Sequence, residues 1–193
     1  KDLRALIVRL RQFFSLIPSY SLIETTPNGY CLNPKLNIVT DLQMFEKYWE
    51  AVQQSNFITD KADILKLAVN LYKGDVLSSA AGEHWLIPTA SHYSLRYLGM
   101  VSELLKTLAE GKDFHNLHKY AAQALSVDPT NGTAYYWLIY SMVKMGASEL
   151  AKTQLQIAQE NLSEEDYYDL VSELKKVEIS PTPNLFRNER LRG

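Results

Sequence analysis

The sequence predicts a mainly α-helical protein, in which a stack of helix hairpins follows one N-terminal helix and a β-hairpin. Two observations predict the helices. Apolar residues recur at helical spacing over most of the 193 residues, and small residues line the stretch 113–161 between sharp breaks. A third observation predicts the β-hairpin, because Pro27-Asn28-Gly29 separates two short strand-like runs. These patterns place the protein in the mainly α class.

The chain opens with an amphipathic helix that is followed at once by the β-hairpin. The helix is predicted over Lys1 to Phe14, and its apolar stripe consists of Leu3, Leu6, Ile7, Leu10 and Phe14. The two strands are predicted over Ser21–Thr25 and Tyr30–Leu32, because Asn-Gly supplies the positive φ angles of a tight turn. The opening therefore combines a basic helix with a short antiparallel pair.

Three helices are predicted in the middle of the chain. Thr40 or Asp41 caps the first of them, the second covers Asp60–Tyr72, and the third covers Trp85–Glu110 and ends at Gly111. Their apolar positions are Leu42, Phe45, Tyr48, Trp49 and Val52, then Ile64, Leu65, Ala68 and Leu71, then Tyr93, Leu95, Tyr97, Leu98, Val101, Leu104, Leu105 and Leu108. The long third helix is apolar over a broad surface, so we expect it in the middle of the stack.

The stretch 113–161 reads as three further helices with two breaks. Pro129 ends the first, because proline cannot continue a helix, and Asn131 or Thr133 caps the next. Gly146 ends that helix, and Ser148 begins another. The residues expected to be buried on the last helix are Leu150, Ala151, Leu155 and Ala158. Small residues let helices approach closely, so this stretch predicts stacked hairpins.

The chain closes with one more helix and a tail. A helix is predicted from Ser163 to Lys176, because the serine is a good cap and Glu164-Glu165 supply an acidic first turn. Beyond Ile179 the chain has two prolines, three arginines and few large apolar residues. That composition predicts a tail or linker.

Bulk composition limits the compartment and the partners. The net charge of −2 gives no global reason to expect nucleic acid, so a DNA contact would need a local basic patch. The single Cys31, expected half-buried in a strand, fits a reducing cytoplasmic compartment. No apolar run approaches the ~18 residues of a membrane helix, and no signal peptide is visible. Because the chain begins at Lys1 inside a predicted helix, we expect it to be a fragment.

Motifs for catalysis or cofactor binding are missing from the sequence. His115 and His118 lie three residues apart on one predicted helix, but no HExxH or Cys–His metal spacing accompanies them. Neither a G-x-S-x-G elbow nor a GxxxxGK[ST] phosphate loop occurs. We therefore expect no enzyme activity, no metal and no cofactor, and we interpret the four histidines as surface residues.

The basic helix and hairpin at the start have two interpretations. In a winged helix, one helix enters the DNA major groove and a hairpin contacts the flanking backbone, while Arg and Lys neutralise phosphates. Alternatively, the arginines form a solvated helix face and the hairpin only closes a small domain. Composition alone favours the second interpretation, because charged helix faces are usually inert.

Two motifs in this opening resemble the OmpR-type winged-helix domain. Arg9-Leu10-Arg11 is similar to the Arg-Leu-Arg near the end of that family's recognition helix, and Thr25 or Thr26 with Gly29, Tyr30 and Leu32 is similar to its Thr-x-x-x-Gly-Tyr-x-Leu wing. The front half of that domain has no counterpart here. The resemblance implies a DNA-binding face of Lys1, Arg4, Val8, Arg9 and Arg11, with Thr26 and Asn28 at the wing tip. Arg11 and Lys1 are the expected phosphate contacts.

The remaining chain resembles a known helical regulatory domain. Tyr135, Leu138, Gly146, Ala151, Leu155 and Ala158 follow the spacing of a tetratricopeptide repeat, although Ser163 stands where a proline would close the next repeat. The run Leu71, Tyr72, Gly74, Asp75 and Leu77, ahead of Trp85, resembles the bacterial transcriptional activator domain of the Streptomyces antibiotic regulatory protein family. In that family this domain directly follows an OmpR-like winged helix. The resemblance implies a right-handed stack of hairpins and domains at 1–36 and 37–178, with a tail at 179–193.

The resemblance implies a DNA-binding transcriptional activator. Its helical domain would mediate self-association, effector binding or protein contacts. The expected partners are double-stranded DNA, RNA polymerase or another regulator, and a second copy of the chain in a homodimer. No contact with a membrane is expected. The alternative is a scaffold that binds a protein or ligand without DNA. Tyr135, Tyr136 and Tyr140, which cluster with Trp137, are either core packing residues or a ligand or partner face.

Overall fold

The computed structural model describes residues 3–15, 21–55, 58–74, 76–77 and 82–176. In chain order, its elements are α1 (Leu3–Phe14), β1 (Ile23–Thr26), β2 (Gly29–Leu32), α2 (Asp41–Gln54), α3 (Ile58–Leu71), α4 (Ile87–Glu110), α5 (Phe114–Val127), α6 (Gly132–Lys144), α7 (Ser148–Asn161) and α8 (Glu164–Lys176). The chain divides into two compact units, residues 1–43 and 44–193. The prediction of a mainly α protein with one N-terminal β-hairpin is confirmed. The predicted tail 179–193 lies outside the described residues.

The first unit contains the antiparallel β-hairpin. Ile23 pairs with Leu32 at its open end, and Thr26 pairs with Gly29 at the turn. Gly29 adopts a φ of +141°, a conformation that favours glycine, but Asn28 does not have a positive φ, so the predicted positive φ angles of Asn-Gly are confirmed at Gly29 alone. Cys31 is exposed, so the prediction that it is half-buried was wrong. Most of β2 is open to solvent, because a two-stranded sheet has too little surface to bury both of its strands.

Most of the apolar stripe of α1 is uncovered. Ile7 is 8% exposed, whereas Leu3, Leu6 and Leu10 are 60%, 45% and 43% exposed. A hairpin of two short strands can cover only part of a helix face, and the buried Ile7 and Ile23 mark the covered part. The predicted helix is confirmed over its described residues, but most of its apolar face is not used within this unit.

The second unit is a stack of helices. Phe45 and Val52 of α2 are buried in its core. From α3 to α7 each helix packs against the next, and α8 packs on α6 and α7. The largest fully buried side chains include Tyr97, Leu104 and Leu105 of α4, which confirms the predicted position of α4 in the middle of the stack. None of the described helices is long and apolar enough to cross a membrane.

Small residues lie where the helices of the stack approach each other. Ala121, Ala124, Ala134, Ala151 and Ala158 on α5, α6 and α7 are all 0% exposed. Close packing of helices follows from these small side chains, because the larger neighbours fill the space around them.

Two expected core positions are wrong. Leu150 is 62% exposed and Leu95 is 70% exposed. Each side chain lies on the solvent side of its helix. On α7, Ala151 occupies the inner face, and Leu150 is turned away from that face because a step of one residue rotates the helix by about 100°. The apolar character of these residues did not by itself show whether they lie on the core side or on the solvent side of their helices.

Capping side chains mark the beginnings of four of the described helices, with Asp113 at α5 and the predicted cap Ser163 at α8. At α6, Asn131 Oδ1 accepts from the Ala134 N–H at 2.9 Å, so the asparagine is the cap, as one of the two alternatives proposed. At α2, Thr40 Oγ1 accepts from the Gln43 N–H at 3.2 Å, and Gln43 Oε1 accepts from the Thr40 N–H at 3.0 Å. This reciprocal pair is a capping box, which satisfies two N–H groups left free at the helix start.

Backbone geometry accounts for two further helix ends. Gly146 has a φ of +80° directly after α6, as expected of a glycine that ends a helix. The helix α4 begins at Ile87, with Pro88 in its first turn, where its missing N–H costs nothing. Trp85 therefore lies in the preceding turn and not in the helix, and it is 68% exposed.

Candidate nucleic-acid interface and partner surfaces

Arg11 joins α1 to the β-hairpin. Its Nε and Nη2 donate to the Ile23 carbonyl oxygen at 3.2 and 3.0 Å, and Nη2 also donates to Thr25 Oγ1 at 2.9 Å. The guanidinium carbon lies 5.8 Å from the centroid of the Tyr30 ring, within cation–π range. One side chain of α1 therefore contacts both strands of the hairpin.

The other predicted DNA-contacting residues of α1 point outward. Arg4 and Arg9 are exposed, and Val8 is 51% exposed. The 12-residue helix contains three arginines and no acidic residue, so it presents a local positive charge despite the net charge of the chain. Lys1 lies outside the described residues.

The predicted wing-tip residues lie at the turn between β1 and β2. Thr26 is half-buried and pairs with Gly29, whereas Asn28 is exposed in the turn itself. The hairpin therefore presents Asn28 to solvent more fully than Thr26. Both residues belong to the same compact unit as Arg9 and Arg11.

A structural residue of this unit escaped the sequence analysis. Asn33 is 5% exposed, and its Nδ2 donates to the Ser21 carbonyl at 2.9 Å while its Oδ1 accepts from the Lys35 N–H at 2.9 Å. Its own N–H donates to the Leu22 carbonyl at 2.9 Å. The Asn33 side chain therefore stabilises the open end of the hairpin by hydrogen bonds. In the sequence, this role was indicated only by the position of an asparagine directly before Pro34 at the end of a strand.

An aromatic cluster lies on α5 and α6. The rings of Tyr136 and Tyr140 are nearly parallel with centroids 6.1 Å apart, and the Trp137 ring meets that of Tyr140 edge-on at 5.6 Å. Phe114 completes the cluster, with its ring 6.1 Å from that of Tyr140. Burial raises the pKa of Tyr136, and its electrostatic interactions with Tyr140 and Glu173 raise it further. Tyr136, Trp137 and Tyr140 remain half-exposed, so part of the cluster is accessible.

Tyr135 does not belong to this face. It is 3% exposed and packs in the core of the helical unit, because it lies one residue before Tyr136 and points to the other side of α6. The predicted partner face therefore reduces to Tyr136 and Tyr140, and Tyr135 is a packing residue.

A second surface was not anticipated. Trp85, Ile87 and Leu95 are 68%, 49% and 70% exposed at the start of α4. Ile87 and Leu95 line a groove of about 500 Å³, together with Val76, Leu86, Ala90, Ser91 and Ser94. The stretch 85–95 contains no Asp, Glu, Lys or Arg. Depletion of charge with exposed large apolar groups is typical of the centre of a protein interface.

The described residues hold no group of three or more His, Cys, Asp or Glu placed to bind a metal. His115 is exposed, and His118 Nδ1 is buried without a hydrogen-bond partner in the described part of the chain. His115 and His118 therefore have no third metal ligand beside them among the described residues.

Comparison with known proteins identifies the helical part. Residues 40–179 match the family model of the bacterial transcriptional activator domain. In tertiary structure the chain is similar, at 18% identity and a TM-score of 0.45, to the C-terminal TPR-containing domain of a Plasmodium falciparum protein designated FK506-binding, over 72% of this chain and 95% of that chain. No curated protein matches the sequence significantly. Since the family match spans most of the sequence and all of α2 to α8, the chain belongs to the bacterial transcriptional activator domain family.

Proposed function

We propose that the chain is part of a DNA-binding transcriptional activator, in which α1 and the β-hairpin contact DNA and the helical unit contacts other proteins. The observation that carries the proposal is the Arg11 connection between a helix free of acidic residues and a hairpin. That connection supplies the pair of elements that a winged helix presents to DNA. The activator-domain family of the helical unit supports the regulatory role.

The chemistry of the proposed DNA contact is mainly electrostatic. Arg4 and Arg9 are exposed on α1 and would neutralise phosphates, while Val8 would make apolar contact in the groove. Asn28 would reach the flanking backbone or the minor groove from the hairpin turn, with Thr26 beside it. Lys1, although outside the described residues, is retained as a further phosphate contact of this face.

The helical unit is proposed to act through protein contacts. The charge-free groove lined by Ile87 and Leu95 supports contact with an apolar protein surface, which would belong to RNA polymerase, to another regulator or to a second copy in a homodimer. Tyr136 and Tyr140 are a smaller candidate face for an effector or a peptide. A cytoplasmic location is part of this proposal.

A scaffold without DNA binding is the second candidate. The uncovered groove of α4 supports it, because that surface needs no DNA to have a function. The two candidates differ in what α1 does and agree on the role of the helical unit as an interaction module.

Fluorescence anisotropy with a labelled DNA duplex tests the proposal. The 193-residue chain and a form extended upstream of Lys1 are titrated over a salt series, and we expect the affinity to fall steeply with salt. Arg9→Ala should lower the affinity and reduce the salt slope by about 1, whereas Lys106→Ala, which removes an exposed charge from α4, should change neither. If neither form bound DNA at low salt, the scaffold would be the better description.

A further inference from the structure

We infer that Arg11 is a positioning residue that holds the hairpin at a set angle to α1, and that it is not one of the phosphate contacts. This inference rests on the proposed DNA-binding function. It reassigns a residue that the sequence motif had placed on the DNA face, and it leaves Arg9 as the principal cation near the end of the helix.

The first support is the number and direction of the Arg11 contacts. Arg11 donates to the main-chain carbonyl oxygen of Ile23 and to the side-chain hydroxyl of Thr25, both on β1. Tyr30 stands opposite Thr25 in the register and presents its ring on the same side of the hairpin as Thr25. The guanidinium therefore contacts the cross-strand pair of side chains Thr25 and Tyr30 and the main chain at Ile23, so its contacts include both strands.

The second support is the difference between Arg11 and Arg9. The Arg11 side chain is half-buried, and two of its three guanidine nitrogens donate to the hairpin. Arg9 is exposed, and its side chain makes no hydrogen bond or ion pair within the described ranges. A phosphate contact at Arg11 would have to compete with its hydrogen bonds to Ile23 and Thr25. At Arg9 a phosphate would have no such bonds to replace.

The third support is the small size of the hairpin. Two strands of four residues make little contact with α1, so a small number of bonds sets their relative orientation. The turn residue Asn28 lies at the opposite end of the hairpin from Ile23. A small change of angle at Ile23 would move Asn28 away from the position that contacts the DNA flank.

Lysine at position 11 separates the two roles. Lysine keeps the positive charge and binds phosphates well as a point charge, but it cannot reproduce a planar fork that also stacks on a ring. A phosphate contact would therefore survive Arg11→Lys, and a positioning contact would not. Lys106→Arg is the control for binding, because Lys106 is an exposed cation of α4 outside the proposed DNA-binding face. Arg9→Lys, an exposed side chain on the same helix as Arg11, is the control for the structure of the hairpin.

The experiment measures binding of the full chain to a fluorescein-labelled DNA duplex of mixed sequence over a salt series. We expect Arg11→Lys to weaken binding about tenfold with the wild-type salt slope, and Lys106→Arg to bind like the wild type. Thr25→Val, which removes one acceptor and keeps Arg11, should weaken binding by a smaller factor. Wild-type affinity in Arg11→Lys would overturn the inference.

A readout without DNA keeps this inference separate from the proposed function. Amide hydrogen exchange should speed up in β1 and β2 of Arg11→Lys and stay unchanged in α4 to α7, while Arg9→Lys should exchange like the wild type throughout. Unchanged exchange in the hairpin would overturn the positioning role. If the wild-type chain did not bind DNA while the hairpin loosened in Arg11→Lys, the proposed function would fail and the structural contact would stand.

Discussion

The rings of Tyr72 and Tyr97 stack with their centroids 4.2 Å apart and an angle of 16° between their planes. Tyr97 is 0% exposed, and its hydroxyl has no hydrogen-bond partner among the described residues. Burial raises the pKa of Tyr97 to about 12, and the neighbouring Tyr72 contributes to the rise. The stack therefore joins the loop after α3 to the middle of α4 through ring contact, without use of the Tyr97 hydroxyl.

Replacing Tyr97 with Phe should raise the free energy of unfolding by about 1 kcal/mol, because burial of a hydroxyl without a partner in the described structure costs free energy that Phe does not incur. Tyr120→Phe is the matched control, since the Tyr120 hydroxyl accepts from Asn70 Nδ2 at 3.1 Å and its loss should cost about 1 kcal/mol. Urea unfolding measures both changes. A loss above about 1 kcal/mol in Tyr97→Phe would mean that the hydroxyl binds a buried water.

Alkaline pH should destabilise the helical unit through Tyr97. Its pKa is about 12 in the folded protein, above the ordinary value of 10.0, so the unfolded chain loses this proton first as the pH rises. The free energy of unfolding should therefore fall between pH 10 and 12, and the fall should be smaller in Tyr97→Phe. Urea unfolding at a series of alkaline pH values measures the slope. Equal slopes in the two proteins would show that other groups cause the loss.

Ala124 should not tolerate a larger side chain. It is 0% exposed on α5, and Ala124→Leu should lower the free energy of unfolding by about 1–3 kcal/mol through overpacking. Ala122→Leu places the same side chain on the exposed side of the same helix and should change stability by less than about 0.5 kcal/mol. Thermal and urea unfolding give both values. Similar losses in the two variants would argue against close helix contact at Ala124.

Asn131 should stabilise the beginning of α6 more than Thr133 does. Asn131→Ala removes the acceptor of the Ala134 N–H and should cost about 1 kcal/mol, the usual effect of losing an N-cap. Thr133→Ala, at an exposed position inside the first turn, should cost less than about 0.5 kcal/mol. Chemical unfolding of the two variants decides between the two caps that the sequence allowed, and the reverse order would assign the cap to Thr133.

If the proposed homodimer forms through the groove of α4, a charge in that groove should disrupt it. Leu95 is 70% exposed in the groove lining, and Leu95→Glu should shift the chain from dimer to monomer in sedimentation velocity measured over a concentration series. Leu150→Glu is the control, because Leu150 is 62% exposed on α7, away from the groove lining. A wild-type chain that stayed monomeric at every concentration, or equal effects of both variants, would rule out this groove as a dimer contact.

Local chemistry explains why much of the helical unit was predictable. Asn131, Gly146 and Pro88 act within a turn of their own positions, so their roles follow from their side chains or backbone freedom. The buried alanines of α5 to α7 were predicted for a related reason, since small residues at helical spacing mark close contacts. The errors at Leu95, Leu150 and Cys31 concern exposure, which depends on what packs against a residue from elsewhere in the chain.

The candidate DNA face was predicted only in part. The sequence indicated the helix, the hairpin and the arginines, because each has a motif of a few residues. It could not distinguish Arg9 from Arg11, since both are arginines on one short helix and only the fold decides which meets the hairpin. The groove of α4 was missed for the same reason, because its lining comes from the loop before α4 and from the helix itself.

The mainly helical class, the hairpin turn and the helix ends at Asn131 and Gly146 could be predicted from the sequence, because short-range periodicity and turn chemistry control these features. The hydrogen bonds from Arg11 to Ile23, the burial of Tyr135 beside an accessible Tyr136 and the exposure of Leu95 became visible only in the folded chain. The physical reason is that a hydrogen bond across 12 residues or the covering of a side chain requires a partner that the local sequence does not specify.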